Sequence, residues 1–237
     1  TAGTGSEVGR AGVLTNKRTK EKKIIFHPKL LPTSVICDPE LTLGMPQYIT
    51  AGTGLDAFAH CVEAFSSPHY HPMSQGIALE GMKMVIKNLP LVYEDGYNLS
   101  ARAEMMCAAS MGAVSFQKGL GAIHAMSHPI GALLDTHHGT TNAVCMPYVL
   151  KLNQNAIASR FDEACPYLGI KGGFQGFYKF VKEFNKKLGV PSSLGELGVK
   201  KEDIKNLVEK AITDPSCLGN PVPLTKENIT ELFHSAL

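Results

Sequence analysis

The chain has 237 residues, a hydrophobic fraction of 44% and a formal net charge of +2, which is long and apolar enough for a substantial buried core. The near-neutral charge argues against a nucleic-acid-binding protein, and the short basic run at 17–23 is typical of a solvated turn. No signal peptide and no apolar stretch of membrane-spanning length is visible. Six cysteines without C-x-x-C spacing argue against a structural zinc knuckle and predict reduced thiols in a cytoplasmic protein.

The first 45 residues are predicted to form strands and turns. Short apolar runs at 8–14, 23–26 and 34–37 alternate with Gly, Pro and polar residues, a pattern that favours short extended segments. The chain begins inside a glycine-dense loop, and such a loop normally follows a strand. We therefore expect a further segment to precede residue 1, and we place a boundary at Met45–Pro46.

From residue 46 to residue 237 the pattern is helical. Apolar residues recur at three- and four-residue intervals and predict helices at 48–66, 73–89, 100–116, 120–128, 139–164, 174–188, 201–212 and 225–236. Two of these ends are set by proline: Pro90 is predicted to lie just beyond the second helix, and Pro129 to end the fourth. A bend is expected at Pro147. The fold class is therefore mainly α, preceded by a few short β-strands.

Carboxylate and imidazole side chains are spaced as ligands of one metal ion. Asp56 and His60 are four residues apart, so on a helix both face the same side. His124 and His128 have the same spacing, and His138 follows the Pro129 break; spacing alone leaves open whether His124, His128 or both are ligands. One carboxylate and three neutral imidazoles leave a divalent ion with a surplus of about +1, which preserves its Lewis acidity. The nitrogen and oxygen donors fit Fe²⁺ or, alternatively, Zn²⁺.

Single histidines on apolar helix faces are usually core residues, but this cluster is denser than chance predicts. Four of the nine histidines fall at 124, 128, 137 and 138, interrupted by proline and bracketed by glycines. The cluster therefore favours a metal site over four unrelated buried histidines.

Three segments resemble the iron-containing (group III) alcohol dehydrogenase family of the dehydroquinate synthase-like superfamily. They are residues 1–8 (TAGTGSEV), 51–60 (AGTGLDAFAH) and 119–139 (GLGAIHAMSHPIGALLDTHHG). The resemblance implies that Asp56, His60, His124 and His138 are the metal ligands, and that His128 lies near the substrate without binding the ion. The family seldom has histidine before the last ligand, so His137 remains an alternative to His138.

The resemblance also implies NAD or NADP, bound between an N-terminal α/β domain and a helical C-terminal domain. Residues 1–45 would then be a remnant of the α/β nucleotide-binding domain, and 46–237 the all-helical metal-binding domain. The implied cofactor contacts are Thr1, Gly3, Thr4, Lys22 and Leu41. The family's main glycine-rich diphosphate loop does not occur in the sequence, so we expect the chain alone to bind NAD(P) poorly and to be inactive.

The activity implied by the resemblance is hydride transfer between a small primary alcohol, or the corresponding aldehyde, and NAD(P). His128 would position the substrate or relay the alcohol proton. Two other hypotheses use the same ligands: a metal-dependent hydrolase or lyase, and a helical metal-binding domain without catalysis. The expected partner is thus a small molecule rather than nucleic acid or membrane, and unpaired first-domain strand edges would favour self-association into a homo-oligomer.

Overall fold

In a computed structural model, which describes residues 3–16, 18 and 21–237, the N-terminal part contains one antiparallel hairpin. Strand β1 (Ala11–Asn16) pairs with β2 (Glu21–Phe26), and Ala11 lies opposite Phe26. The third strand expected at 34–37 is wrong. This segment pairs with no strand among the described residues, and the Ile36 side chain is 91% exposed, so neither a ladder nor a packed face stabilises it as a strand.

The rest of the chain is helical, as the sequence predicts. The helices are α1 (Gln47–Ser66), α2 (Pro72–Glu94), α3 (Leu99–Ser115), α4 (Ala122–Leu134), α5 (His138–Leu168), α6 (Gly173–Lys187), α7 (Ile204–Ala211) and α8 (Lys226–Ala236). Short 3-10 helices join them, including Phe116–Lys118 before α4 and Pro215–Gly219 before α8. Among the described residues, no helix is both long and apolar enough to cross a bilayer.

Two proline predictions fail because tertiary packing overrides local preference. Helix α2 continues through Pro90 to Glu94, and α4 continues through Pro129 to Leu134. An interior proline costs a helix about 3 kcal/mol, but Pro129, Ile130 and Gly131 are all buried. Helix α4 is instead capped by Asp135, which has a left-handed backbone (φ 54°) and whose N–H bonds to the carbonyl of Gly131 at 3.1 Å.

Helix α1 is the central helix of the bundle and is buried from Thr50 to the C-terminus except at Thr53. Helices α2, α3 and α5 surround it, so it has no solvent-facing side over most of its length. Two cations bind the carbonyls at its C-terminal end. Lys118 Nζ donates to Ala64 O at 3.0 Å and Ser67 O at 2.9 Å, and Arg160 donates to Ser66 O at 3.0 Å. These bonds satisfy carbonyls that the helix leaves unpaired.

Helices α1 and α5 are in close contact where Gly52 faces Gly139. A Cβ atom on Gly139 would overlap the Gly52 carbonyl oxygen and lie 2.9 Å from Asp56 Cβ. A Cβ atom on Gly52 would overlap the His137 ring and lie 2.9 Å from Thr140 Oγ1. Because backbone meets backbone here, the first turn of α5 lies directly against α1.

We predict that Gly139→Ala destabilises the fold by about 3 kcal/mol or more, because the added methyl group must push two helix backbones apart. Gly76→Ala is the matched control, since Gly76 lies on an exposed part of α2 and a Cβ atom there meets nothing within 4 Å. The control should be neutral or stabilising by up to about 1 kcal/mol. Urea unfolding of both variants measures the difference, and equal stability would contradict the close approach.

Candidate metal centre

The candidate ligands of α1 and α4 converge in the interior. Asp56 and His60 are one turn apart on α1, and His60 Nε2 lies 3.7 Å from Asp56 Oδ1. His124 Nε2 on α4 lies 3.8 Å from the same oxygen. Ligand atoms of these three residues all lie within 4.8 Å of one another, and all three side chains are buried. Nitrogen and oxygen atoms at these separations can bind one divalent ion at about 2.0–2.2 Å each.

His138 approaches this group from the first turn of α5. Its Nε2 lies 3.5 Å from Asp56 Oδ1, and its side chain is 33% exposed, so the site opens to solvent on the α5 side. His137 has a different place: it is the N-cap of α5, and its Nδ1 accepts the Thr140 N–H at 3.3 Å. The structure therefore brings His138 to the group and uses His137 as a helix cap against Gly52.

Burial and mutual proximity favour the protonation states that metal binding requires. Burial lowers the pKa of His124 and of His138 well below the usual value, which keeps these imidazoles neutral with a free nitrogen lone pair. Burial alone would raise the pKa of Asp56, but His60, His138 and His124 and the Asn142 amide lower it, so the carboxylate stays ionised. The donor set is thus one anionic oxygen and three imidazoles, two of them held neutral by burial, which fits a divalent transition metal.

Glu63, one turn beyond His60 on α1, fixes the orientation of His124. His124 Nδ1 donates to Glu63 Oε2 at 2.5 Å, and Glu63 Oε1 accepts the Ile123 N–H at 2.7 Å. Burial raises the pKa of Glu63 to about 7, opposed by backbone N–H groups that include Gly121. With the proton on Nδ1, His124 Nε2 carries the lone pair that faces Asp56. Such carboxylate–histidine pairs orient metal ligands and increase their basicity.

His128 lies beside the candidate ligands and has its own carboxylate partner. Its ring stacks on that of His138, with centroids 5.4 Å apart and planes 8° apart. His128 Nδ1 lies 2.8 Å from Asp214 Oδ2, and Asp214 Oδ1 accepts the Ser216 N–H at 2.8 Å. Burial raises the pKa of Asp214, but the hydrogen bonds from His128 and Ser216 more than offset this and lower it. Asp214 therefore holds His128 with the proton on Nδ1 and leaves Nε2 available.

The predicted cofactor residues are not part of this cluster. Thr1 lies outside the described residues, and so does the side chain of Lys22, whose backbone belongs to β2. Gly3 is buried against α1, where a Cβ atom would lie 2.9 Å from Thr53 Cα, and Thr4 is exposed. Leu41 is 82% exposed and lines an open groove of about 620 Å³ together with Glu7, Ile36 and Met106.

Three residues of the site were missed in the sequence: Glu63, Asn142 and Asp214. Glu63 follows His60 by three residues and Asn142 follows His138 by four, so helical spacing could have found both. Asn142 Nδ2 donates to Asp56 Oδ1 at 2.8 Å. Asp214 lies 86 residues from its partner His128, in the turn after α7, and no local pattern points to it.

Residues 50–237 match the profile of the C-terminal part of the iron-containing alcohol dehydrogenase family, and residues 1–39 match an iron-containing alcohol dehydrogenase profile. The chain is 38% identical over 231 residues to the 4-hydroxybutyrate dehydrogenase of Cupriavidus necator, covering 93% of this chain and 60% of that protein.

Solved structures show the same similarity. A 1,3-propanediol oxidoreductase superposes with a TM-score of 0.95 at 35% identity, covering 100% of this chain and 64% of that chain. The sulfoacetaldehyde reductase of Bifidobacterium kashiwanohense, solved in complex with NAD⁺, gives a TM-score of 0.91 at 30% identity and covers 100% and 62%. The chain thus spans a little under two thirds of each of these relatives. On the family match over residues 50–237, the chain belongs to the iron-containing alcohol dehydrogenase family.

Proposed function

We propose that this chain carries the metal-binding catalytic site of an alcohol dehydrogenase, which transfers hydride between a small primary alcohol or its aldehyde and NAD(P). The observation that carries the proposal is the convergence of one ionised carboxylate and three imidazoles on a point that is buried except beside His138. Family membership favours this function over a hydrolase, a lyase or a non-catalytic metal domain that uses the same ligands.

Asp56, His60, His124 and His138 are the proposed ligands. The stacked rings of His60 and His124, 4.9 Å apart, and the hydrogen bond from His124 to Glu63 restrict ligand rotation before any ion binds. A bound ion would supply Lewis acidity at the substrate oxygen, and NAD(P) would supply the hydride acceptor or donor. We propose iron rather than zinc as the bound ion because the matching family is described as iron-containing.

His128 is the proposed group that positions the substrate hydroxyl and takes its proton. Its Nδ1 donates to Asp214, so Nε2 is the acceptor, and its ring stacks against His138 on the open side of the site. The substrate would enter on that side because His138 is the only partly exposed member of the four proposed ligands. His128 can then pass the proton towards solvent.

NAD(P) is proposed to contact residues 1–45, through Thr1, Gly3, Thr4, Lys22 and Leu41. The groove beside Leu41 has a volume of about 620 Å³, which is large enough for part of a dinucleotide, and the relative solved with NAD⁺ favours NAD over NADP.

The proposed domain boundary at residue 45 is supported by the two family matches, which end at 39 and begin at 50. The unpaired cysteines favour a cytoplasmic location, and self-association remains a proposal.

Metal analysis tests the ligand set. Protein purified without added metal should contain about one iron or zinc ion per chain, and His124→Ala and His138→Ala should lose it because each removes one of four donors. His137→Ala should retain the ion, since His137 caps α5, and His234→Ala on the exposed face of α8 is a control. Full metal occupancy in His124→Ala would refute the assignment.

An activity assay tests the reaction class. The protein encoded by the complete gene should oxidise small primary alcohols with NAD⁺ or NADP⁺, measured by reduced nicotinamide absorbance, and should lose activity on chelation. Turnover of esters or phosphates with no alcohol oxidation would identify a hydrolase instead.

Replacing Asp214 tests the role of His128. In Asp214→Asn the amide can donate to Nδ1 and reverse the His128 tautomer, so kcat should fall about 10²–10⁴-fold. Asparagine can still cap the helix at Pro215–Gly219, and metal content should be unchanged. Asp203→Asn, at a half-buried carboxylate that also accepts a backbone N–H, is the matched control. A wild-type kcat in Asp214→Asn would exclude the proposed pairing.

A further inference from the structure

The Asn142 side chain is aimed into the metal site although no ligand pattern in the sequence includes it. It lies on α5 one turn beyond His138 and is 0% exposed. Its Nδ2 lies 2.8 Å from Asp56 Oδ1 and 3.2 Å from both His124 Nε2 and His138 Nε2. One amide nitrogen therefore contacts ligand atoms from three different helices.

The chemistry of these three contacts is complementary. Asp56 Oδ1, His124 Nε2 and His138 Nε2 all face the same amide nitrogen, and as metal ligands all three would direct lone pairs towards a common point. Lone pairs held 3.5–3.8 Å apart in a buried site repel one another. An amide NH₂ group has two hydrogens, so it can donate one to the carboxylate and share the other between the two imidazoles.

The other half of the amide makes no comparable contact. Asn142 Oδ1 is buried without a hydrogen-bond partner among the described residues. Leaving a buried acceptor unpaired costs about 1–3 kcal/mol. If Asn142 served only to stabilise the fold, an apolar side chain of the same shape would avoid this cost. The N–H groups of the amide therefore account for its orientation better than packing does.

We propose that Asn142 is a positioning residue that organises the metal ligands. Its NH₂ group holds the Asp56 carboxylate and the His124 and His138 imidazoles in their metal-binding positions, and so raises the affinity for the divalent ion. The 2.8 Å bond to Asp56 would be compatible with a bound ion, because the carboxylate has a second oxygen and further lone pairs. The inference rests on the proposed metal site but assigns no role to Asn142 in hydride transfer.

Metal affinity of Asn142→Leu tests the proposal directly. Leucine has nearly the same shape and no donors, so the dissociation constant for Zn²⁺, measured against a chromophoric chelator, should rise about 10–100-fold. The visible spectrum of bound Co²⁺ should also change, because the carboxylate and the two imidazoles lose the hydrogen-bond donor that they share.

Asn185→Leu is the matched control. Asn185 is buried on α6, its Nδ2 donates to Ala143 O at 2.7 Å, and its Oδ1 also has no partner among the described residues. It should lose stability like any buried hydrogen-bonding residue and keep wild-type Zn²⁺ affinity. If Asn142→Leu does not fold, Asn142→Ala removes the same donors with a good helix former and should show the same loss of affinity.

The outcomes separate the two proposals. If the wild-type chain binds Zn²⁺ but the Asn142 variants bind it within twofold of wild type, the positioning role is refuted and the metal site stands. If the wild-type chain binds neither Zn²⁺ nor Co²⁺, the proposed function itself fails.

Discussion

The close approach of Gly52 and Gly139 is the constraint on which the site depends. Asp56 lies one turn after Gly52 on α1, and His138 immediately precedes Gly139 on α5. Because neither glycine has a side chain, the two backbones meet, and Asp56 Oδ1 and His138 Nε2 come within 3.5 Å. A Cβ atom on Gly139 would overlap the Gly52 carbonyl oxygen, and one on Gly52 would overlap the His137 ring, so a side chain at either position requires the helices or the His137 ring to move. The two glycines therefore bring candidate ligands from two helices close enough to share one ion.

Several buried polar groups of the site are paired with another residue, whereas His60 Nδ1 and Asn142 Oδ1 have no hydrogen-bond partner among the described residues. Glu63 orients His124, Asn142 is bonded to Asp56, and Asp214 orients His128. Fully buried polar networks stabilise a fold only when most members are satisfied. Burying a carboxylate among imidazoles costs desolvation free energy, and these hydrogen bonds offset part of it. The bonds to His124 and His128 also fix the imidazole tautomers that the proposed function requires. Stability and function use the same hydrogen bonds here.

Sequence patterns were sufficient for the helical part of the fold because local and tertiary preferences agree there. The spacing of apolar residues was enough to predict α6, and the four-residue spacing of Asp56 and His60 was enough to place both on one face of α1. The predictions failed where packing opposes propensity, as at Pro129, or where a strand lacks a partner, as at 34–37. Asp214 could not be predicted from the sequence for a different reason. The turn after α7 brings it to His128, which is distant in sequence, and no local pattern records this contact.

The proposed metal-binding residues and the proposed cofactor-binding residues differ in solvent exposure. The proposed metal ligands come from the helices packed at the centre, so the proposed ion affinity would depend on the integrity of the helical core. Two of the cofactor candidates, Thr4 and Leu41, lie instead in a turn and a short 3-10 helix, and both are exposed. Exposed loops can change their nucleotide contacts without disturbing helix packing. Substitutions at Leu41 should therefore alter cofactor affinity alone, whereas substitutions near Gly139 must affect metal binding and folding together.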